Sequence, residues 1–100
     1  MAKACVTVDG CSMHPTLLDG YSYLANTNFT VEEGSIYMYP NPQTGEYVVK
    51  RLHKYYPDTG MCYFLGDNPP SSIDSRHYGL INKDSIVVKL DKALKKIKLK

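Results

Sequence analysis

The residues of this chain that could do chemistry are a serine in a sharp turn, lysines on a strand-like segment and an Asp-rich turn further on. Ser12 lies within Asp9-Gly10-Cys11-Ser12-Met13-His14-Pro15, where glycine and proline swing the chain out of a Val-containing segment and expose the hydroxyl. Taken alone, such a serine is usually a turn former. As a nucleophile its hydroxyl is weak and must pass its proton to a nearby base while it attacks a carbonyl. His14, His53 and His77 are the imidazole candidates, but none has the context of a Ser-His-Asp arrangement, and each is expected to be an ordinary surface or half-buried histidine.

A lysine serves as a base only where burial disfavours its ammonium form. Lys50 has Val48 and Leu52 two residues away on its own strand face, and Lys54 has Leu52 and Tyr56 in the same relation, so periodicity leaves both open. To be largely neutral near pH 8–9, either lysine needs a shift of about two pKa units, or roughly 2.7 kcal/mol. Arg51 must point to the opposite face, where pairing with an acid is expected. The tetrahedral intermediate of acyl transfer needs hydrogen-bond donors, and the backbone N–H of Ser12 is the natural first one.

These residues need strands and turns to hold them. Nine tyrosines and many Val and Ile residues favour β-structure, with Asp19-Gly20, Glu33-Gly34, Pro42-Gln43-Thr44-Gly45 and Pro57-Asp58-Thr59-Gly60 as turns. The pattern predicts strands near residues 3–8, 21–25, 35–39, 46–56, 61–66 and 85–90, with 46–56 and 61–66 as a hairpin. Leu90, Ala93, Leu94 and Ile97 recur at helical spacing among lysines, which predicts a short basic C-terminal helix over 91–98.

One domain is expected from 100 residues, and 43% hydrophobic with 22% charged residues is the composition of an ordinary globular chain. A formal charge of +2 is too small to argue for nucleic acid. No stretch reaches the roughly 18 apolar residues of a membrane span, so a soluble, cytoplasmic protein is expected, unless a membrane or a membrane subunit is met at the surface. Cys5, Cys11 and Cys62 are odd in number and lack CxxC spacing, which disfavours disulfides and zinc; no metal and no cofactor are expected.

Three motifs in order resemble the catalytic domain of the signal peptidase I family of serine endopeptidases, over roughly residues 6–89: Ser12-Met13-His14-Pro15-Thr16-Leu17, then Lys50-Arg51 on a strand, then Gly66-Asp67-Asn68 through Ser72-Ile73-Asp74-Ser75-Arg76. The resemblance implies a mainly β fold, a compact, partly open antiparallel barrel or coiled sheet. It selects Lys50 as general base to a Ser12 nucleophile, with Met13 packed behind the serine and Pro15 setting the turn. It also implies that Ser72 hydrogen-bonds the base lysine, that Asp74 and Arg76 pair to fix their loop, and that Gly66, Asp67 and Asn68 form the bracing turn. Bacterial members often carry an oxyanion serine two residues before the nucleophile; Gly10 stands there, so a backbone donor near Gly10 or Cys11 must replace it. That Gly-x-Ser-Met form looks more like mitochondrial inner-membrane peptidases and LexA-type self-cleaving repressors. Pro69-Pro70 also replace polar positions of the family pattern.

The substrate implied is a peptide or preprotein segment, extended along a sheet edge, with small residues such as Ala at the first and third positions before the cut. Two rival readings are a LexA-type regulator that cleaves its own chain and an idle β-domain that binds peptides. A third makes the chain the soluble part of a membrane enzyme.

Overall fold

The computed structural model describes residues 3–91 and 96–97. Strands β1 (Lys3–Thr7), β2 (Ser22–Asn26), β3 (Ile36–Pro40), β4 (Tyr47–Tyr56) and β5 (Met61–Leu65) come first, followed by a four-residue helix, α1 (Ser75–Tyr78). The short strands β6 (Ile81–Asn82), β7 (Val88–Leu90) and β8 (Lys96–Ile97) complete the order. All lie in one antiparallel sheet, β1-β2-β7-β3-β4-β5-β6, with β8 also beside β2. The outer strands β1 and β6 do not join, so the expected mainly β fold is an open coiled sheet and not a closed barrel.

Alternation along β3 divides the interior into two cores, because successive side chains leave a strand on opposite faces. Ile36 belongs with Val6, Val8, Leu17 and Tyr23, and Met38 packs on the same cluster. Tyr37 and Tyr39 belong with Leu52, Phe64 and Ile81, where the Tyr39 and Phe64 rings stack at 4.3 Å between centroids. The two cores therefore grip β3 and β4 from both sides.

The hairpin of β4 and β5 forms as expected, its turn closed by Gly60 N–H donating to the Tyr56 carbonyl at 2.8 Å with Gly60 at φ +74°. Its register shifts between Leu52 and Lys54, a bulge centred on His53. The strand expected over 85–90 is shorter: Lys83–Ser85 is a 3-10 turn, capped by the Asn82 side chain accepting from Asp84 N–H, and the strand starts at Val88. Of the helix expected over 91–98, Lys96–Ile97 instead pair with Ser22 and Tyr23 as β8. Residues 92–95 and 98 lie outside the described residues.

Candidate active site

Between β1 and β2 the chain makes a tight loop whose neck is tied by Val8 N–H to the Tyr21 carbonyl at 2.9 Å and Gly20 N–H to the Val8 carbonyl at 2.8 Å. Gly10 sits at φ +100°, a conformation that a side chain would strain, and its N–H donates to Asp19 Oδ1 at 2.9 Å. His14 N–H bonds the Cys11 carbonyl and Leu17 N–H bonds the Met13 carbonyl, so the turn is a small self-bonded unit, with a cis peptide before Pro15. Met13 and Leu17 are buried in the first core and anchor it. Ser12 is left at the lip.

Lys50 reaches this lip from β4. Its side chain is buried, with only 4% of the residue exposed, and Nζ donates to Ser12 Oγ at 2.9 Å across 38 residues of sequence. Burial lowers the lysine from its ordinary value, while the charge of Asp74 works in the opposite direction. The bulge explains why Lys54 is different. After it, the alternation reverses, so Tyr55 packs on the second core and Lys54 points outward to Glu33, at 3.9 Å, and toward the Tyr56 ring.

The segment from Gly66 to Arg76 locks the two together. Asn68 N–H donates to the Ser12 carbonyl at 2.8 Å, and Asn68 Nδ2 donates to the Cys11 carbonyl at 2.9 Å. Arg51, facing away from Lys50, makes a two-pronged contact with Asp67, Nε to Oδ1 at 2.9 Å and Nη2 to Oδ2 at 2.8 Å. Thr16 Oγ1 donates to the same carboxylate at 2.6 Å, so Asp67 links the serine turn to the lysine strand and holds its own pKa below the usual range, chiefly through Arg51. Asp67 is thus an ionic brace and more than the turn residue expected.

Behind this lies Asp74, whose side chain is fully buried. Burial alone would raise its pKa, but Arg76, the Gly66 N–H at 2.9 Å and the Ser72 hydroxyl at 2.7 Å hold it well below the carboxylate range. The expected Asp74–Arg76 pair is present, Nε to Oδ1 at 2.9 Å and Nη2 to Oδ2 at 2.8 Å. Asp74 also caps α1, accepting from Arg76 N–H, while its own N–H donates to His77 Nδ1. Pro69–Ser71 form a 3-10 turn, where prolines at the start need no N–H, so Pro69-Pro70 fit.

Two expectations are corrected. The Ser72 hydroxyl donates to Asp74 Oδ2, not to Lys50; that ionised oxygen, which also accepts from Gly66 N–H and Arg76 Nη2, is a stronger acceptor than an amine. The Gly10 N–H donates to Asp19, so it is not free to be the backbone donor expected near that position. Among the histidines, His14 is exposed, His53 occupies the bulge and His77 caps a helix. Asp19 entered the sequence reading only as a turn residue and Thr16 only as a motif position; their bonds to Gly10 and Asp67 are fixed by the loop, and no spacing in the chain announces them.

A cleft of about 140 Å³ opens beside Ser12 and Lys50, lined by Val6 and Val8 from the first segment and by Met38 and Val49 from β3 and β4. A larger open recess, about 560 Å³, lies against Glu32, Gly34, Arg51 and Asp91 and includes neither Ser12 nor Lys50. Among the described residues no group of His, Cys, Asp and Glu could hold a metal ion.

The domain is an open, coiled antiparallel sheet in which a serine turn is held against a buried lysine. The Peptidase S24-like family model matches residues 2–88, and the chain belongs to that family. The match supports the peptidase character common to the signal peptidase and LexA-type resemblances. A search of curated proteins returned no match.

Proposed function

We propose that the protein is a serine endopeptidase in which Ser12 is the nucleophile and Lys50 the general base. The observation that carries this is the 2.9 Å contact between Lys50 Nζ and Ser12 Oγ, with the lysine buried and its pKa lowered. As Ser12 Oγ bonds to the peptide carbonyl carbon, its proton passes to neutral Lys50, and the resulting ammonium returns it to the departing amine. Water then enters with the same lysine as base and frees Ser12 from the acyl group. The Ser12 and Cys11 backbone N–H groups stabilise the oxyanion, while Asn68 keeps the carbonyls of those residues turned the other way.

The substrate is an extended peptide with small residues at the first and third positions before the cut. Among the described residues β1 pairs with β2 along one edge only, and β5 pairs with β4 from Arg51 onward, leaving residues 47–50 beyond its end. Both free stretches border the cleft, so a strand laid between them can bond to either side. The narrow apolar walls favour small side chains.

An Ala-x-Ala peptide tests the proposal. Ser12→Ala and Lys50→Ala should each lose about 10³-fold or more in kcat/KM while keeping the wild-type melting profile; equal cleavage by all three proteins would overturn the mechanism. The LexA-type resemblance carries one variation, in which the same pair cuts a segment of its own chain. A cleavage rate independent of protein concentration would mark that case. Among the described residues no helix is long and apolar enough to cross a membrane; contact with a membrane subunit remains a proposal, tested by flotation with vesicles.

A further inference from the structure

We propose that Asp9 and Tyr47 form a cation-recognition pair at the mouth of the cleft, so that the preferred peptide carries a Lys or Arg side chain near the cut. The inference rests on the peptidase reading of Ser12 and Lys50 and concerns which peptides they meet. Asp9 ends the β1 wall and Tyr47 begins the β4 wall, and both line the cleft that contains the Ser12–Lys50 contact. Both are exposed, Tyr47 to 64%, far more than a tyrosine held for packing. The Asp9 carboxylate has no hydrogen bond or ion pair among the described residues, whereas Asp19, Asp67 and Asp74 are each engaged in bracing the loop.

The remaining walls are mostly apolar, and the other charged group there, Lys50, is turned inward to Ser12. The cleft therefore offers an incoming side chain one unpaired negative charge and one aromatic ring, carried by two different segments of its lining. A guanidinium or ammonium satisfies both, by ion pairing and by lying on the ring face, with its methylene stem along Val49 and Met38. A carboxylate is repelled. Small residues still fill the inner positions of the cleft, and the cation is read at its mouth.

The test uses Ala-x-Ala peptides in which one position at a time carries Lys, norleucine or Glu, assayed at low salt. At one position, Lys should exceed Glu in kcat/KM by about tenfold, with norleucine between them. The Lys/Glu ratio is taken within each protein, so a general loss of activity does not affect it. It should fall toward unity in Asp9→Asn, shrink in Tyr47→Ala and decline as salt is raised. Equal rates for Lys and Glu at every position, or a ratio that survives Asp9→Asn, would overturn the pair. If the wild type cleaves none of the peptides, the peptidase reading fails separately. Fluorescence anisotropy with Ser12→Ala then decides the recognition alone: tighter binding of the Lys peptide that Asp9→Asn abolishes supports it, and equal binding of Lys and Glu peptides rejects it.

Discussion

Lys50 can accept a proton only after losing its own. Burial lowers its pKa from the ordinary 10.5, and the Asp74 charge restrains that fall, so the neutral fraction grows as pH rises toward a lowered inflection. In the proposed reaction kcat/KM should therefore climb from pH 6 toward alkaline values and level off below the ordinary lysine value; a flat profile from pH 6 to 9 would exclude a lysine base. The choice of Lys50 over Lys54 shows where a one-dimensional pattern stops. Both have apolar neighbours at two-residue spacing, and the motif beside Arg51 favoured one. The physical reason is the bulge at His53, which turns Lys54 to solvent and depends on how β5 pairs. Nothing in the composition of β4 marks it.

At the level of elements, the site depends on β5 ending against the serine turn with almost no space between them. A Cβ on Gly66 would overlap the Ser72 side chain and come within 2.8 Å of the Ser12 carbonyl oxygen. Gly66→Ala should destabilise the protein by about 1–3 kcal/mol, read as a lower urea midpoint with unchanged slope, and should reduce cleavage further by displacing Ser12. The hairpin was legible because Pro57-Asp58-Thr59-Gly60 carries its own turn chemistry. β6 and the 3-10 turn after it were not, since two-residue strands exist only through their partners. Likewise the periodicity of residues 90–97 suits a helix, yet the Ser22–Tyr23 backbone gives Lys96–Ile97 strand partners instead.

For the whole molecule, buried ionic braces set the acid limit. The Asp74 carboxyl has a folded pKa below its unfolded value, near 3.9, so its contribution to stability is complete above that value and is lost as pH falls below it. Asp67 adds in the same direction. Thermal melts should be nearly constant from pH 7 to about 5 and fall steeply below about 4. Asp74→Asn should lose about 2–3 kcal/mol at pH 7 and show a shallower acid limb, because the charged bonds to Arg76 are already gone. A parallel acid limb in the variant would assign the transition to other groups. The three motifs made the principal residues of this network legible, but not its wiring: Ser72 serving Asp74, Asp19 holding Gly10 and Thr16 joining Arg51 on Asp67 arise only when distant segments meet.

The contact between Ser12 and Lys50 also has a direction in time. A chain made from its N-terminus presents the serine turn first, the lysine 38 residues later, and the Gly66–Arg76 brace last. Until the carboxylate of Asp74 has emerged and closed on Gly66, the proposed nucleophile lacks the segment that holds its carbonyl and aligns its base. Under the proposed mechanism, a chain cut short before Gly66 should therefore show no cleavage, because the serine turn and the lysine strand lack the segment that ties them.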